Sequence, residues 1–159
     1  MIHKYGNLFD TDAPYIGHGV NTYGVMGAGI AKEFKERYPE NFIKYELACQ
    51  NGSLLPGMYM VNYDRDQKNS GRTSLVVNFA SQDQPGRHAR YSWVLKSFAT
   101  WAERATSWGM LKTWRAHIAI PEIGCGIGGL EWPVVEDIIK AVEACYPVEF
   151  EVWHYEERK

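Results

Sequence analysis

The sequence predicts an α/β fold of three layers, with helices on both faces of a mixed, largely parallel central sheet. Three observations predict it. Short β-branched runs alternate with segments of helical period along the chain. A single polar stretch between two extended runs reads as a hairpin, which puts one antiparallel strand into an otherwise parallel sheet. Two glycine-rich loops, Gly17–Ala31 (G-H-G-V-N-T-Y-G-V-M-G-A-G-I-A) and Pro121–Trp132 (P-E-I-G-C-G-I-G-G-L-E-W), each follow an apolar run and open a helical pattern.

The elements follow in order. Ile2–Tyr5 and Tyr15–Val20 read as strands, the second feeding the first glycine loop. From Gly29 the period becomes helical, with Ile30, Phe34 and Tyr38 on one face and Lys32, Glu33, Lys35 and Glu36 on the other, until Pro39 stops it. Glu40–Gln50 is a second helix with Phe42, Ile43, Leu47 and Ala48 inward, ended by the Asn51-Gly52 turn signal. Gly57–Tyr63 alternates as a strand, Asp64–Arg72 is an exposed hairpin loop, and Thr73–Phe79 is a buried strand. A polar connection, Ser81–His88, precedes a helix over Arg90–Ser107, with Trp93, Val94, Phe98, Trp101 and Ala105 near one face. His117–Ile120 is a central strand entering the second glycine loop. Pro133 suits the first turn of the next helix, which runs to about Cys145, and Val148–Tyr155 is the last strand.

Composition bounds the rest. At 159 residues and 45% hydrophobic, the chain reads as one domain over 1–159 with a real core. A formal net charge of −2 gives no global electrostatic case for binding bulk nucleic acid, and the local basic run Arg87-His88-Ala89-Arg90 reads as a solvated helix entrance. The three cysteines are widely spaced without metal-ligand spacing, and none of the five histidines pairs with another ligand. No metal or cofactor is expected, and a reducing, cytoplasmic location and a monomer are. Cys49 and Cys145 read as buried apolar residues, whereas Cys125 sits inside a glycine loop with no base beside it in sequence. No apolar run approaches the roughly 18 residues of a membrane span.

Both glycine loops leave the carboxyl ends of strands, so they land on one sheet edge, where ligands of open α/β sheets sit. Glycine allows positive φ and close approach of backbone to a ligand, and a helix N-terminus beyond such a turn offers free N–H groups to an anion. Two such loops side by side make a cradle for a diphosphate, and hence for a nucleotide-like ligand. The spacing of the dinucleotide fingerprint is not met, and neither loop carries the Gly-Lys-Ser/Thr of a Walker loop.

The run Val20–Ala31 with Phe34, the run Pro121–Trp132 and the opening Gly6-Asn7-Leu8-Phe9 resemble, in order, the two phosphate loops and the start of macro domains. The resemblance covers nearly the whole chain. It is nearest to the compact branch that contains terminal ADP-ribose-glutamate hydrolases, DNA ADP-ribosyl glycohydrolase antitoxins and yeast-type ADP-ribose-1″-phosphate phosphatases. It implies an ADP-ribose cleft. Gly27, Ala28, Gly29 and Ile30 of the first loop, with Gly124, Cys125, Gly126, Ile127 and Gly128 of the second, would line the diphosphate and distal ribose with backbone N–H groups, and Gly19, Val20, Gly24, Met26, Pro121 and Ile123 would also bind the ligand. Asn21 would face that ribose, Ser81 and Gln82 would be among the ligand-binding residues, Leu8 would meet the adenine, and Trp153 and Tyr155 would cover it. Asn7 stands where most macro domains place an Asp on the adenine amino group. Gln82 stands where the hydrolases of the branch carry a lysine, and Gly128 where the glutamate hydrolases carry an Asp. The resemblance then implies a phosphatase-like hydrolysis of an ADP-ribose derivative, with His18, Asn21 and Asp83 as the acting groups. A non-catalytic ADP-ribose reader and a glycohydrolase acting on ADP-ribosylated protein or DNA with an unusual catalytic set are the alternatives.

Overall fold

The computed structural model describes residues 1–69, 71–107 and 116–155. Six strands are β1 (Ile2–Tyr5), β2 (Tyr15–Asn21), β3 (Tyr59–Arg65), β4 (Thr73–Gln82), β5 (Ala116–Ile120) and β6 (Val148–His154), and four helices are α1 (Gly29–Arg37), α2 (Pro39–Gln50), α3 (Tyr91–Ser107) and α4 (Trp132–Cys145). The sheet order is β1-β6-β5-β2-β4-β3. Every neighbouring pair is parallel except β3–β4, the predicted hairpin. Residue 70 of the expected hairpin loop lies outside the described residues.

Alternation along the central strands sorts side chains to two faces. Val77 and Phe79 of β4, Ile118 and Ile120 of β5 and Phe150 and Val152 of β6 meet Val94, Phe98 and Trp101 of α3 and Val135, Ile139 and Val142 of α4. On the other face Ile16, Val76 and Ala119 pack under Phe34 and Tyr38, and Val20 and Ala80 under Tyr45 of α2. The first face leaves no space for a side chain at position 17. A Cβ on Gly17 would lie 2.9 Å from the Phe79 ring and 3.0 Å from Ile118.

Four readings of the sequence are corrected. The inward face of α2 carries Asn41 and Tyr45, while Ile43 and Leu47 are 63% and 57% exposed. The reason is a buried amide network beneath the helix. Asn41 Nδ2 donates to Asn78 Oδ1, Asn78 Nδ2 and Asn62 Nδ2 donate to Asn41 Oδ1, and Asp64 Oδ2 accepts from the Asn41 backbone N–H. The Asp64–Arg72 segment is not uniformly exposed, because Asp64 and Asp66 are buried and Asp66 Oδ2 meets Arg37 Nη1 at 3.0 Å. Cys145 is exposed at the end of α4, and Ile30 faces outward from α1. No helix among the described residues is long and apolar enough to cross a membrane.

Candidate functional site

The carboxyl ends of β2, β4 and β5 border one cleft of about 370 Å³. β2 and β4 pair in register up to Val20 and Ala80, and Asn21 then pairs with Gln82, which makes Ser81 an extra residue in β4. That irregularity sets Ser81 and Gln82 beside Gly19 at the cleft. Gly19 is required there, since a Cβ would stand 2.7 Å from Ser81 Oγ.

The first loop is shaped by Asn21. Its Oδ1 accepts from the Gly24 N–H (3.1 Å), the Val25 N–H (3.4 Å) and the Tyr45 hydroxyl (3.0 Å), and its Nδ2 donates to the Val25 carbonyl (2.9 Å). Gly24 supplies the turn at φ +98°. Beyond it, the N–H groups of Met26, Gly27, Ala28, Gly29, Ile30 and Ala31 donate to no protein acceptor among the described residues. The last three are the first turn of α1, where the helix leaves its donors free and its dipole is positive. The second loop closes on itself through Leu130 N–H to the Gly124 carbonyl (2.8 Å), and the Gly126, Ile127 and Gly128 N–H groups likewise have no protein acceptor. Gly128 has no space for a side chain, because a Cβ would lie 2.7 Å from the Gly124 carbonyl oxygen.

Of the residues that the resemblance assigns, the cleft collects Gly19, Val20, Asn21, Met26, Gly27, Ala28, Gly29, Ile30, Ser81, Gln82, Pro121, Ile123, Gly124, Gly126, Ile127 and Gly128. Val25, Ala31, Pro85, Gly86 and Glu122 also line it. Glu122 was within reach of the sequence, since it stands inside the second loop's quoted run. Pro85 and Gly86 belong to the polar connection Ser81–His88, which carried no ligand signal in the sequence.

Other assigned residues lie elsewhere. His18 is in the core, fully buried, its ring stacked on Phe34 and its Nε2 2.9 Å from Asn78 Oδ1. It points to the opposite face of β2 from Gly17 and Gly19, away from the cleft. Burial pushes its pKa down to about 4, against a smaller upward pull from Asn78, so the ring is neutral at pH 7. Asp83 follows β4 without lining the cleft, and its backbone carbonyl, not its carboxylate, meets Thr22. The catalytic trio is thus reduced to Asn21, whose amide is committed to the loop.

On the adenine side, Asn7 Oδ1 accepts from the Phe9 N–H and caps the 3-10 turn Leu8–Asp10. Leu8 is in the core with Phe34 and Val76. Trp153 Nε1 donates to Glu151 Oε1 at 2.6 Å, and Tyr155 lies past the end of β6, 83% exposed. None of these four lines the cleft, nor does Gly24. Cys125 packs against the α3–α4 core, and burial and the Glu122 charge push its thiol up to about 11, so it is no thiolate at neutral pH.

Gln82 holds the loop that follows β4. Its Nε2 donates to the Gln84 carbonyl (2.6 Å) and the Gly86 carbonyl (3.2 Å), which leaves Oε1 toward Gly128. Arg87 lies over Gly129, and Ala89 N–H donates to the Gly128 carbonyl. The run Arg87–Arg90 therefore stands at the rim of the cleft.

A family model described as Macro domain matches residues 18–139. The chain is 34% identical over 152 residues to a DNA ADP-ribosyl glycohydrolase of Thermus aquaticus, which covers 95% of this chain and 39% of that protein. It thus spans about two-fifths of that relative's length. It is 33% identical over 106 residues to an ADP-ribose 1″-phosphate phosphatase of Aspergillus clavatus, covering 60% of this chain and 53% of that one. The solved macrodomain of Thermus aquaticus DarG superposes with a TM-score of 0.73 at 34% identity, over 98% of each chain.

Proposed function

The chain belongs to the macro domain family, and from that premise we propose that the cleft binds ADP-ribose and that the protein hydrolyses the bond joining the distal ribose to an attached group. One observation carries the binding: nine residues that line one cleft, six at 26–31 and three at 126–128, have backbone N–H groups with no protein acceptor among the described residues. Such an array satisfies a diphosphate with no cationic side chain.

Geometry orders the possible substrates. A phosphatase using His18 and Asp83 lacks both groups in the cleft. A glycohydrolase acting through a positioned water keeps its parts, because holding the diphosphate fixes the distal ribose and a water without a strong base. Gln82 Oε1 and the Ser81 hydroxyl, at the β4 end, are the acceptors that orient that water. Water adds to the anomeric carbon, the bond to the attached group breaks, and the leaving group carries away the bonding electrons and a proton.

Arg87, His88 and Arg90 are exposed at the rim beside this end, none of them paired with a carboxylate among the described residues, and the Arg90 guanidinium sits 4.6 Å over the Trp93 ring. A cationic and aromatic rim favours an attached nucleic acid over an attached protein. Three free cysteines support action in a reducing compartment, the cytoplasm, and we assign the activity to the monomer.

The test incubates the protein with an ADP-ribosylated oligonucleotide and, separately, with ADP-ribose 1″-phosphate. Release of ADP-ribose from the first at a rate well above phosphate release from the second is expected. Tight binding without either release establishes a reader instead.

A further inference from the structure

Among the described residues that line the cleft, Glu122 alone has an ionisable side chain; the rest supply backbone, amides, a hydroxyl and apolar groups. Its Oε1 lies 3.1 Å from His154 Nδ1, and His154 Nε2 lies 2.9 Å from His3 Nδ1. The His154 ring is packed by His3 (5.2 Å, stacked), Tyr5 (5.1 Å) and the edge of Trp132 (5.4 Å). The carboxylate is thus held in place from one side. Its second oxygen, Oε2, meets no partner among the described residues.

A carboxylate set beside an anion cradle repels a diphosphate, so its presence calls for a donor to occupy it. Glu122 comes two residues before Gly124 and four before Gly126, so the ligand group it meets is the one next to the diphosphate. The cleft has two unlike ends. Toward β4 lie Gln82 and Gly86, and toward β6 lies Glu122, with the rings of His154 and Trp132 packed behind it, outside the cleft lining. Aromatic rings suit the base, so the group between base and diphosphate at the β6 end is the adenosine ribose.

Resting on the ADP-ribose reading above, we infer that Glu122 accepts a hydrogen bond from the 2′-hydroxyl of the adenosine ribose and sets specificity against ligands carrying a 2′-phosphate. An acidic side chain serves the same chemistry on the ribose of other dinucleotide sites. His154 is its positioning residue.

The experiment titrates wild-type protein, Glu122→Gln and Glu122→Ala by calorimetry with ADP-ribose and with 2′-phospho-ADP-ribose, with thermal melts as the control for folding. Wild type should prefer ADP-ribose by about tenfold or more, since a phosphate would face a carboxylate. Glu122→Gln should narrow that preference to about threefold or less, chiefly by gaining affinity for the 2′-phosphorylated ligand, because the amide removes the repulsion and keeps an acceptor. His154→Ala should narrow it less. A wild type that binds both ligands alike, or variants that weaken both equally, would overturn the inference while leaving the ADP-ribose reading intact. A wild type that binds neither overturns both.

Discussion

His18 lies flat on Phe34, ring centroids 3.8 Å apart and planes 8° from parallel. With Nε2 donating to Asn78 Oδ1, the ring is the neutral tautomer, and Nδ1 is buried with no partner among the described residues. A histidine packed this way is a structural residue with a pH signature. The folded protein accepts the proton only near pH 4, whereas an unfolded chain accepts it near 6.5. The unfolded state therefore binds more protons between those values. His18 leaves stability intact above about pH 6.5 and lowers it as pH falls toward 4, by on the order of 3 kcal/mol in total. Urea unfolding of wild type and His18→Phe at about pH 7.5 and about pH 4.5 measures it: the variant should lose the His18 share of the pH slope. Equal slopes would contradict the buried, neutral ring.

Asn21 organises the first loop through four hydrogen bonds. Asn21→Ala should destabilise the fold by about 1–2 kcal/mol. It should also weaken ADP-ribose binding, with faster amide exchange at Gly24 and Val25. Exchange rates that stay unchanged while binding falls would instead mean that the amide touches the ligand directly.

Two glycines of the cleft should respond in opposite ways. Beyond its chain neighbours, a Cβ on Gly27 meets no atom of the described residues within 4 Å, so Gly27→Val should melt within a few degrees of wild type. It should nevertheless weaken ADP-ribose binding by about tenfold or more, roughly 1.4 kcal/mol. Gly128→Ala drives a Cβ toward the Gly124 carbonyl at 2.7 Å and Ala89 at 2.9 Å. It should cost about 1–3 kcal/mol of stability as well as binding. Thermal melts beside calorimetry separate the two.

Asp66 has a fully buried carboxylate on Arg37 Nη1 (3.0 Å) and also accepts from the Lys68 N–H. Asp66→Ala should destabilise by about 3 kcal/mol, because the half-buried Arg37 guanidinium is left with Glu33 as its one carboxylate partner among the described residues. Added salt should not reproduce the loss, as a buried pair is poorly screened. Chemical denaturation with and without salt checks both statements.

The polar run Asp64–Arg72 shows why this part of the fold was hard to read. Its aspartates are buried because Arg37 and Asn41, remote in sequence, supply the partners. No local pattern announces that. The same holds for α2, where hydrophobic period selects Ile43 and Leu47, yet the amides of Asn41, Asn62 and Asn78 satisfy one another inside. Strands β2, β4, β5 and β6 were legible from their apolar runs, and both loops from glycine placed before a helix.

The ligand cradle is backbone, so glycine spacing locates it. The side chains around it follow the direction of each residue. His18 sits between Gly17 and Gly19, whose missing side chains face Phe79 and Ser81, so it turns the other way into the core. Asn7 and Leu8 occupy the expected segment, but cap a turn and fill the core.

Calorimetric titration with ADP-ribose probes the cleft on which every catalytic step depends. One site per chain is expected, with a Kd at or below about 10 μM, some 7 kcal/mol of binding, weakened by Gly27→Val without loss of fold. No heat of binding at millimolar ADP-ribose, from protein that melts cooperatively, would contradict it.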